Sequence, residues 1–294
     1  NAGPTIINNI ISGNNHDGID CNSSSPSITN NIVAMNGVYG IQCSDSSSPF
    51  IINNILTGNI EDGIYCSSSF SIPTITNNTI SGNGGHGIWC GFSSSPIITN
   101  NIITGNGTTN AGYGIYLASG TPTINYNDVW GNNGLPTTYN YHNCGAGTYD
   151  ISTNPQFIGE VDYHLQSTSP CINKGTSTAP NIPITDKDGN PRIIGNIVDM
   201  GAYEYQSLIT GSLSITSTPT TAIIWLDGVD KGTVTPAILS GIIPGTHTVT
   251  LTKDGYYDWA GTVTVLAEAT TDVVASLTLI TGSISVTSTP TGAN

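Results

Sequence analysis

A repeat runs through the first 132 residues and restricts what this chain can fold into. Six prolines mark the repeat, separated by steps of 22, 23, 24, 23 and 26 residues. Each proline is followed by Ile after two positions, by Asn after five, by an aliphatic residue after seven and by Asn again after ten. The prolines are Pro4, Pro26, Pro49, Pro73, Pro96 and Pro122.

Short aliphatic segments between Gly, Asn and Ser corners are typical of β-strands joined by tight turns. At this period they predict a parallel β-solenoid over residues 1–132, with about three short strands per coil. Helical repeats need longer periods and more helix-forming residues than this chain has. The fold class is therefore predicted to be all-β.

The repeated Asn residues form two columns. A buried amide carries both donors and an acceptor, so identical Asn side chains stacked about 4.8 Å apart can hydrogen-bond along a column. We therefore predict two structural ladders and no catalytic role for these residues. The first ladder comprises Asn9, Asn31, Asn54, Asn78, Asn101 and Asn127, and the second comprises Asn14, Asn36, Asn59, Asn83, Asn106 and Asn132.

Charge excludes one class of partner. Charged residues make up 8% of the chain, and the net charge is −14. Such a chain repels phosphate backbones, so nucleic acid is excluded as a partner.

The sequence has no apolar run of about twenty residues that would predict a transmembrane segment. A surface dominated by hydroxyls and amides is common in exported proteins, and the start at Asn1 without Met is interpreted as a processed or partial chain.

Three N-x-S/T sequons occur, at Asn22, Asn77 and Asn106. Asn22 and Asn77 lie outside the ladders, so we expect both to face solvent and to be open to glycosylation. Asn106 belongs to the second ladder, so we expect its amide to be blocked.

The pattern I-x-x-N-x-I-x-x-N…G-I resembles the right-handed parallel β-helix repeats of the pectate-lyase-like superfamily. This resemblance covers residues 1–132 and implies the fold but no activity. Residues 154–205 contain NPQF, DYHLQSTSPCINKG, DKDGNPR and VDMGAYEY. They resemble the end piece of exported bacterial and archaeal β-helix surface proteins. Residues 133–206 are accordingly interpreted as terminal coils and a cap.

From Gly211 the pattern changes to alternating apolar and polar residues, broken by the turn dipeptides Asp227-Gly228 and Asp254-Gly255. This pattern predicts a small β-sandwich over residues 207–281. The predicted strands lie near residues 212–217, 222–226, 246–253, 262–266 and 272–279.

The second region resembles the PEGA domain through T-P-T-T-A at residues 218–222, W-L-D-G at 225–228, P-G-T-H at 244–247 and K-D-G-Y at 253–256. The tetrapeptide that names the domain is replaced by P-T-T-A at residues 219–222. The resemblance implies a spacer or interaction module of a prokaryotic surface protein. Residues 282–290 repeat residues 211–219 almost letter for letter, so residues 282–294 are interpreted as the first strand of a second PEGA unit.

The cysteines form one column and one separate pair. Cys21, Cys43, Cys66 and Cys90 stand two residues after an inward Ile, so all four are expected to face the core. Neighbouring positions are close enough for disulfides, and a column of buried thiols is an equal alternative. A linear stack does not favour a metal site. A Cys144–Cys171 disulfide is predicted in the cap region, where a cross-link closes a long loop.

An outward column next to the cysteines contains three aromatic residues, Tyr65, Trp89 and Tyr116. Stacked exposed rings of this kind predict a sugar-binding platform or a protein contact. The alternative is that the loop at residues 139–142 covers them.

A cluster of acidic and His residues at the corner before the Gly-Ile step is a candidate cation site, with calcium as the ion. It comprises His16, Asp17, Glu61, Asp62 and His86. The second coil has Val38 and Tyr39 at the equivalent positions, which argues against a site. Asp186, Asp188 and Asn190 are spaced like the start of a calcium loop but lack the Glu at its twelfth position, so a turn is predicted there. No cofactor is therefore predicted.

The sequence argues against an enzyme. Lyases of this fold need a cationic base, and no Lys or Arg precedes Lys174. Asp17 and Asp62 lie two coils apart on one column and offer an inverting pair at most.

The resulting hypothesis is a non-enzymatic structural protein of a prokaryotic cell surface. It belongs to a sheath, a surface layer or an extracellular filament, as in methanogenic archaea, where PEGA repeats on β-helices are familiar. We expect an extracellular location, head-to-tail contacts between copies that make a homo-oligomer or filament, and contacts with surface glycans. The alternatives are a carbohydrate-binding adhesin or a polysaccharide-cleaving enzyme.

Overall fold

The computed structural model describes residues 2–135, 137–194, 197–206 and 210–287. The chain divides into two units, residues 1–207 and residues 208–294, which are treated separately. Within the described ranges, no helix has the length and apolar character needed to cross a membrane.

Unit 1 is a parallel β-helix in which successive coils contribute strands to three six-stranded sheets. Sheet 1 contains β1 (Ala2–Ile7), β4 (Ser25–Thr29), β7 (Phe50–Ile52), β10 (Thr74–Thr76), β13 (Ile97–Thr99) and β16 (Thr123–Asn125). Sheet 2 contains β2 (Ile10–Ser12), β5 (Ile32–Ala34), β8 (Ile55–Thr57), β11 (Thr79–Ser81), β14 (Ile102–Thr104) and β17 (Asp128–Trp130). Sheet 3 contains β3 (Ile19–Asn22), β6 (Ile41–Ser44), β9 (Ile64–Cys66), β12 (Ile88–Cys90), β15 (Ile115–Leu117) and β18 (Tyr141–His142).

The repeat columns form the core of the β-helix. Ile51, Leu56 and Ile64 are the inward residues of one coil, and all three are fully buried. Each packs on its equivalents in the next coils, which removes from water the apolar surface that a single coil leaves open. Gly63 comes directly before the inward Ile64. A Cβ added at Gly63 would lie 2.6 Å from Ile80 Cγ2, which is too close for a residue larger than Gly. The prediction of a parallel β-helix is confirmed.

Residues 133–206, interpreted from the sequence as terminal coils and a cap, continue the coils in their first part. A 3₁₀ turn spans Asn132–Gly134, and β18 then completes the sixth coil by pairing with β15. Isolated bridges from Asn125 to Thr148 and from Asp128 to Ile151 begin a partial seventh coil. Residues 154–206, here called the lateral segment, run back along the outside of earlier coils, where they hydrogen-bond to positions from Asn53 to Asn100.

The lateral segment is held by the corner between sheets 1 and 2. Asn53, Asn77 and Asn100 have φ values of 54°, 53° and 59° there, a left-handed conformation that Asn tolerates better than most residues. This conformation leaves their amides outward, where they pair with main chain of the lateral segment. The Nδ2 donations run from Asn53 to Thr185 O (2.8 Å), from Asn77 to Asp199 O (3.0 Å) and from Asn100 to Thr176 O (3.0 Å).

Unit 2 is a sandwich of two sheets. Its strands are β19 (Gly211–Thr218), β20 (Ile223–Leu226), β21 (Val229–Val234), β22 (Ala237–Ile242), β23 (Gly245–Thr252), β24 (Trp259–Val265) and β25 (Thr270–Ser276). One sheet has the order β22-β19-β25 and the other β21-β20-β23-β24. Leu213, Ile224 and Leu251 lie in the core between the sheets.

Five of these strands correspond to the predicted ones, and β21 and β22 were missed. The Asp227-Gly228 turn leads into β21, and both turn residues have positive φ, as a hairpin of this length requires. Residues 282–287, the described part of the predicted first strand of a second PEGA unit, have no regular structure, and Ile284 and Val286 are exposed. The rest of that predicted strand, residues 288–294, lies outside the described residues.

Candidate functional site

The two Asn columns form continuous hydrogen-bonded ladders. Asn54 is representative: its Nδ2 donates to Ile28 O at 2.8 Å and to Asn78 Oδ1 at 3.0 Å. Its Oδ1 accepts from the main-chain N–H of Asn31 at 2.8 Å and from Asn31 Nδ2 at 3.1 Å. Each amide therefore joins its own coil to the coils on both sides.

Both ladders end on residues that the sequence analysis missed. Asp150 Oδ1 accepts from the N–H of Asn127 at 2.7 Å and from its Nδ2 at 3.2 Å. Asn132 Nδ2 donates to Asn140 Oδ1 at 3.3 Å. Asp150 stands 23 residues after Asn127, which is one repeat step. The repeat period therefore predicts that Asp150 takes the next position of the first ladder.

The cysteine column lies inside the core as free thiols. Cys21, Cys43, Cys66 and Cys90 are buried and pair in register from coil to coil. Hydrogen bonds between neighbouring thiols, together with burial, raise the pKa of Cys43 and Cys90. Burial keeps all four thiols of the column away from solvent, so they are poor nucleophiles in the folded protein.

The predicted Cys144–Cys171 disulfide is not formed. Cys144 packs at the end of the β-helix core, with its Sγ 3.9 Å from Ile115 O. Cys171 lies outside sheet 2, in a cluster with Ile102. The wall of the coil separates the two sulfurs, because the lateral segment leaves the end of the β-helix instead of capping it.

We expect thiol labelling to distinguish these environments. In the native protein Cys144, which is half-buried, is the thiol that an alkylating reagent reaches first, and the five buried thiols react only after unfolding. Mass spectrometry of protein alkylated before and after denaturation, without reductant, checks this. Rapid native labelling of the column, or fewer than six labelled thiols after unfolding, would contradict it.

The outward aromatic column is a stack of rings. Tyr39 and Tyr65 stack with centroids 4.3 Å apart, and Tyr65 and Trp89 with centroids 4.4 Å apart. Tyr116 stacks instead on His142 at 4.4 Å, so part of the 139–142 loop joins the column as its next member. These contacts occupy ring faces, which a sugar platform needs to keep free.

The corner cluster connects coils through main-chain contacts. Asp17 Oδ1 accepts from the Tyr39 N–H at 3.0 Å, and Asp62 Oδ1 accepts from the His86 N–H at 2.6 Å. His86 Nδ1 in turn accepts from the Tyr113 N–H at 2.8 Å. Each of these side chains thus accepts a hydrogen bond from a main-chain N–H of the next coil.

The remaining members of the predicted cation sites do not converge. His16 and Glu61 stay at the surface. Asp186 Oδ1 accepts from the N–H groups of Asp188 (3.0 Å) and Asn190 (2.8 Å), which is a turn and not a calcium loop. In the described part of the chain, no group of three or more His, Cys, Asp or Glu side chains is arranged to hold a metal ion.

A buried ionic cluster holds the lateral segment together. Arg192 is fully buried, and its guanidinium donates to Asn53 Oδ1 at 2.6 Å and contacts Glu204 at 3.5 Å. Asp186 and Asp199 are buried nearby and act on the same guanidinium electrostatically. One cation therefore faces three carboxyl groups.

Burial shifts several carboxyl groups toward their neutral form. It raises the pKa of Asp62 and of Asp128 from 3.8 to about 7, and that of Glu204 from 4.5 to about 8. Asp128 Oδ1 accepts from the Thr153 N–H, and its Oδ2 contacts the Cys171 thiol. A charge at these positions opposes folding.

The raised pKa values predict a stability that falls with rising pH. A carboxyl group whose pKa is higher in the folded state stabilises that state at low pH, and this contribution is lost as pH rises through about 7 to 8. We expect the melting temperature to be lower at about pH 8.5 than at about pH 5.5. Asp128→Asn should reduce the difference, and Asp20→Asn, at an exposed position, should leave it unchanged. A melting temperature that rises with pH would contradict the prediction.

One of the two predicted glycosylation sites is corrected. Asn22 is exposed, as expected, whereas Asn77 is buried because its amide donates to Asp199 O and Gly201 O of the lateral segment. Asn106 is buried in the second ladder, where its Nδ2 donates to Asn132 Oδ1 at 3.0 Å.

Comparison with known proteins assigns families to both units. Residues 1–156 match the family model described as periplasmic copper-binding protein (NosD), and residues 210–280 match the PEGA domain. Curated protein sequences give no significant match. A crystal structure of the pectate lyase Pel9A aligns with a TM-score of 0.42 and 16% identity over 68% of this chain and 65% of its own, a likeness too distant to carry an argument.

The first match covers just over half of the chain and coincides with the coils described above. Its periplasmic description agrees with the exported character of the composition. The chain therefore belongs to the NosD family of parallel β-helix proteins and carries a PEGA domain after the β-helix.

Proposed function

We propose that this protein is a non-enzymatic structural component of a prokaryotic cell surface, in a sheath, a surface layer or an extracellular filament. One observation carries the proposal: side chains that could do chemistry on the β-helix wall are used to join neighbouring coils. The Asp62 carboxylate accepts from the His86 N–H, and the Tyr65 ring stacks between Tyr39 and Trp89.

These contacts make the β-helix stiffer. They also occupy the carboxyl group and the ring faces that a bound ligand would need. A carboxyl group that moves during catalysis would release the main-chain N–H of the next coil, which costs about 1–3 kcal/mol when that N–H is buried. A sugar that stacked on Tyr65 would have to separate rings whose centroids are 4.3 and 4.4 Å from their neighbours. This wall supports a mechanical role better than a catalytic or adhesive one.

Among the residues that the structure describes, the His and Cys donors do not fit the copper in the family's description. His86 Nδ1 is already an acceptor for the Tyr113 N–H, and both ring nitrogens of His164 contact carboxylates, those of Asp162 and Asp188. The column thiols are buried in a line within the apolar core. We therefore derive no copper-dependent step for this protein.

Assembly of copies is part of the proposal. Successive coils present the same columns of Asn, aliphatic and Cys side chains, so a coil of one copy can stack on a coil of another as it stacks on its own neighbours. A contact between two different surfaces of the same molecule that does not close on itself makes a filament. The PEGA unit serves as a spacer or as a second contact in that assembly.

Light scattering at rising protein concentration tests this assembly. We expect the mean mass to increase with concentration through species that are multiples of the 30.5 kDa chain. Single copies of unchanged mass over the whole range would contradict the proposal. Release of sugars from purified surface polysaccharides by wild type, lost in an Asp62→Ala variant, would show an enzyme instead.

A further inference from the structure

The corner between sheets 1 and 2 changes its residue type in the last two coils. Earlier coils have Asn at this corner, as at Asn53, Asn77 and Asn100, whereas the next two coils have Tyr126 and Tyr149. Both Tyr residues keep the left-handed backbone, with φ values of 56° and 61°. Asn tolerates this conformation, but a bulky ring does not favour it. Strained residues of this kind are concentrated at binding and active sites.

The two Tyr rings form a short stack with one open face. The centroids of Tyr126 and Tyr149 lie 4.7 Å apart, with 30° between the ring planes. Tyr149 is 67% exposed, and Tyr126 is its one ring partner among the described residues. Tyr65, in the outward column of sheet 3, has rings on both faces. Tyr149 therefore presents to solvent an aromatic face that Tyr65 does not have.

The stacked rings line a cleft between the end of the β-helix and the lateral segment. The cleft has a volume of about 660 Å³, and its other lining residues include Ile151, Ile197 and residues 173–177 of the lateral segment. Small-molecule sites usually have about 300–1,000 Å³ and combine apolar surface with a few polar groups. The size and lining of this cleft are those of a ligand site.

The polar groups of the cleft are mainly donors. Within the described ranges, the exposed Asn173 amide and Lys174 ammonium have no hydrogen-bond or ion-pair partner. Asp150, the acidic residue of the lining, is already in use: it accepts from the N–H of Asn127 at 2.7 Å and from the Tyr141 hydroxyl at 2.8 Å. The lining therefore offers an aromatic face and hydrogen-bond donors, but no pair of available carboxyl groups for cleavage.

We propose that this cleft binds a neutral pyranose sugar of a surface glycan without cleaving it. A pyranose has an apolar C–H face that can stack on an aromatic ring, and its hydroxyls accept from amide and ammonium groups. An acidic glycan is disfavoured because the protein has a net charge of −14. The site is independent of the structural role proposed above, since it requires only that unit 1 be folded.

Isothermal titration calorimetry of the intact protein tests the site with three neutral probes: cellohexaose, mannohexaose and chitohexaose. At least one of them should bind saturably, and more tightly than the acidic hexagalacturonate. Tyr149→Asn restores the residue type of the earlier coils, and Asn173→Gly removes the amide but tolerates the φ of 55° at that position. Each variant should weaken binding at least about tenfold, the loss expected when a stacking face or a hydrogen bond is removed.

The control is Tyr257→Asn, which removes an exposed Tyr of unit 2 and should bind as wild type does. Melting temperatures of Tyr149→Asn and Asn173→Gly that are no lower than that of wild type will show that both remain folded. Because Asn173 is exposed, its variant tests the site even if the Tyr149 ring also stabilises the fold. Three outcomes overturn the proposal: no saturable binding of any neutral probe, wild-type affinity in both cleft variants, or tighter binding of hexagalacturonate than of every neutral probe.

Discussion

An Asn54→Leu variant should unfold at a markedly lower temperature than wild type. Leu has a similar volume but cannot donate to Ile28 O, and it leaves the N–H and one Nδ2 hydrogen of Asn31 without their acceptor. Each buried polar group without a partner costs about 1–3 kcal/mol, so the expected loss for these three groups is about 3–9 kcal/mol. In a unit of this size each kcal/mol lowers the melting temperature by about 2–4 °C.

Circular dichroism melts measure this loss. Asn22→Leu is the matched control, because Asn22 is exposed and belongs to neither ladder. It should change the melting temperature little. Equal melting temperatures for Asn54→Leu and wild type would mean that the ladders do not hold the coils together.

Replacing Arg192 with Leu should release the lateral segment. Arg192 is the cation among the buried carboxyl groups of Asp186, Asp199 and Glu204, and it also bonds to Asn53 on the β-helix. Removing the guanidinium leaves Asn53 Oδ1 and the main-chain carbonyls of Gly201 and Ala202 without this donor. Each buried acceptor left without a partner costs about 1–3 kcal/mol. The segment should therefore open while the coils stay folded.

Hydrogen exchange measured by mass spectrometry locates this effect. Amides of residues 176–206 should exchange much faster in Arg192→Leu, while those of sheet 3 keep their protection. Lys174→Leu removes an exposed cation from the same segment and should exchange as wild type does. A second change, Glu204→Leu, should restore part of the protection, since it removes a buried carboxyl group that has lost its guanidinium partner. Protection that is the same in wild type and Arg192→Leu would show that the cluster does not anchor the segment.

The sequence predicted the β-helix well because its contacts are periodic. Asn54 and Asn78 occupy the same place in successive repeats, so a contact between coils becomes a pattern along the chain. The same logic identifies the inward Cys and Ile columns. Sequence alone could predict the core of unit 1 because every coil buries the same residue types at equivalent positions.

The lateral segment could not be predicted in this way. Its contacts join residues far apart, such as Asn53 and Arg192, 139 residues apart, and they occur once each. Contacts with the same segment bury Asn77, which was predicted from the sequence to face solvent and to be open to glycosylation. In unit 2, β21 was missed because Val229–Val234 is largely exposed and lacks the alternation of a half-buried strand.

Immunogold electron microscopy of native surface material tests most directly whether this protein is a structural component of a cell surface. Antibodies raised against unit 1 should label regular filaments, sheath or lattice outside the cell, with gold particles at a constant spacing along the structure. Label confined to scattered single particles, or to the cell interior, would contradict the account.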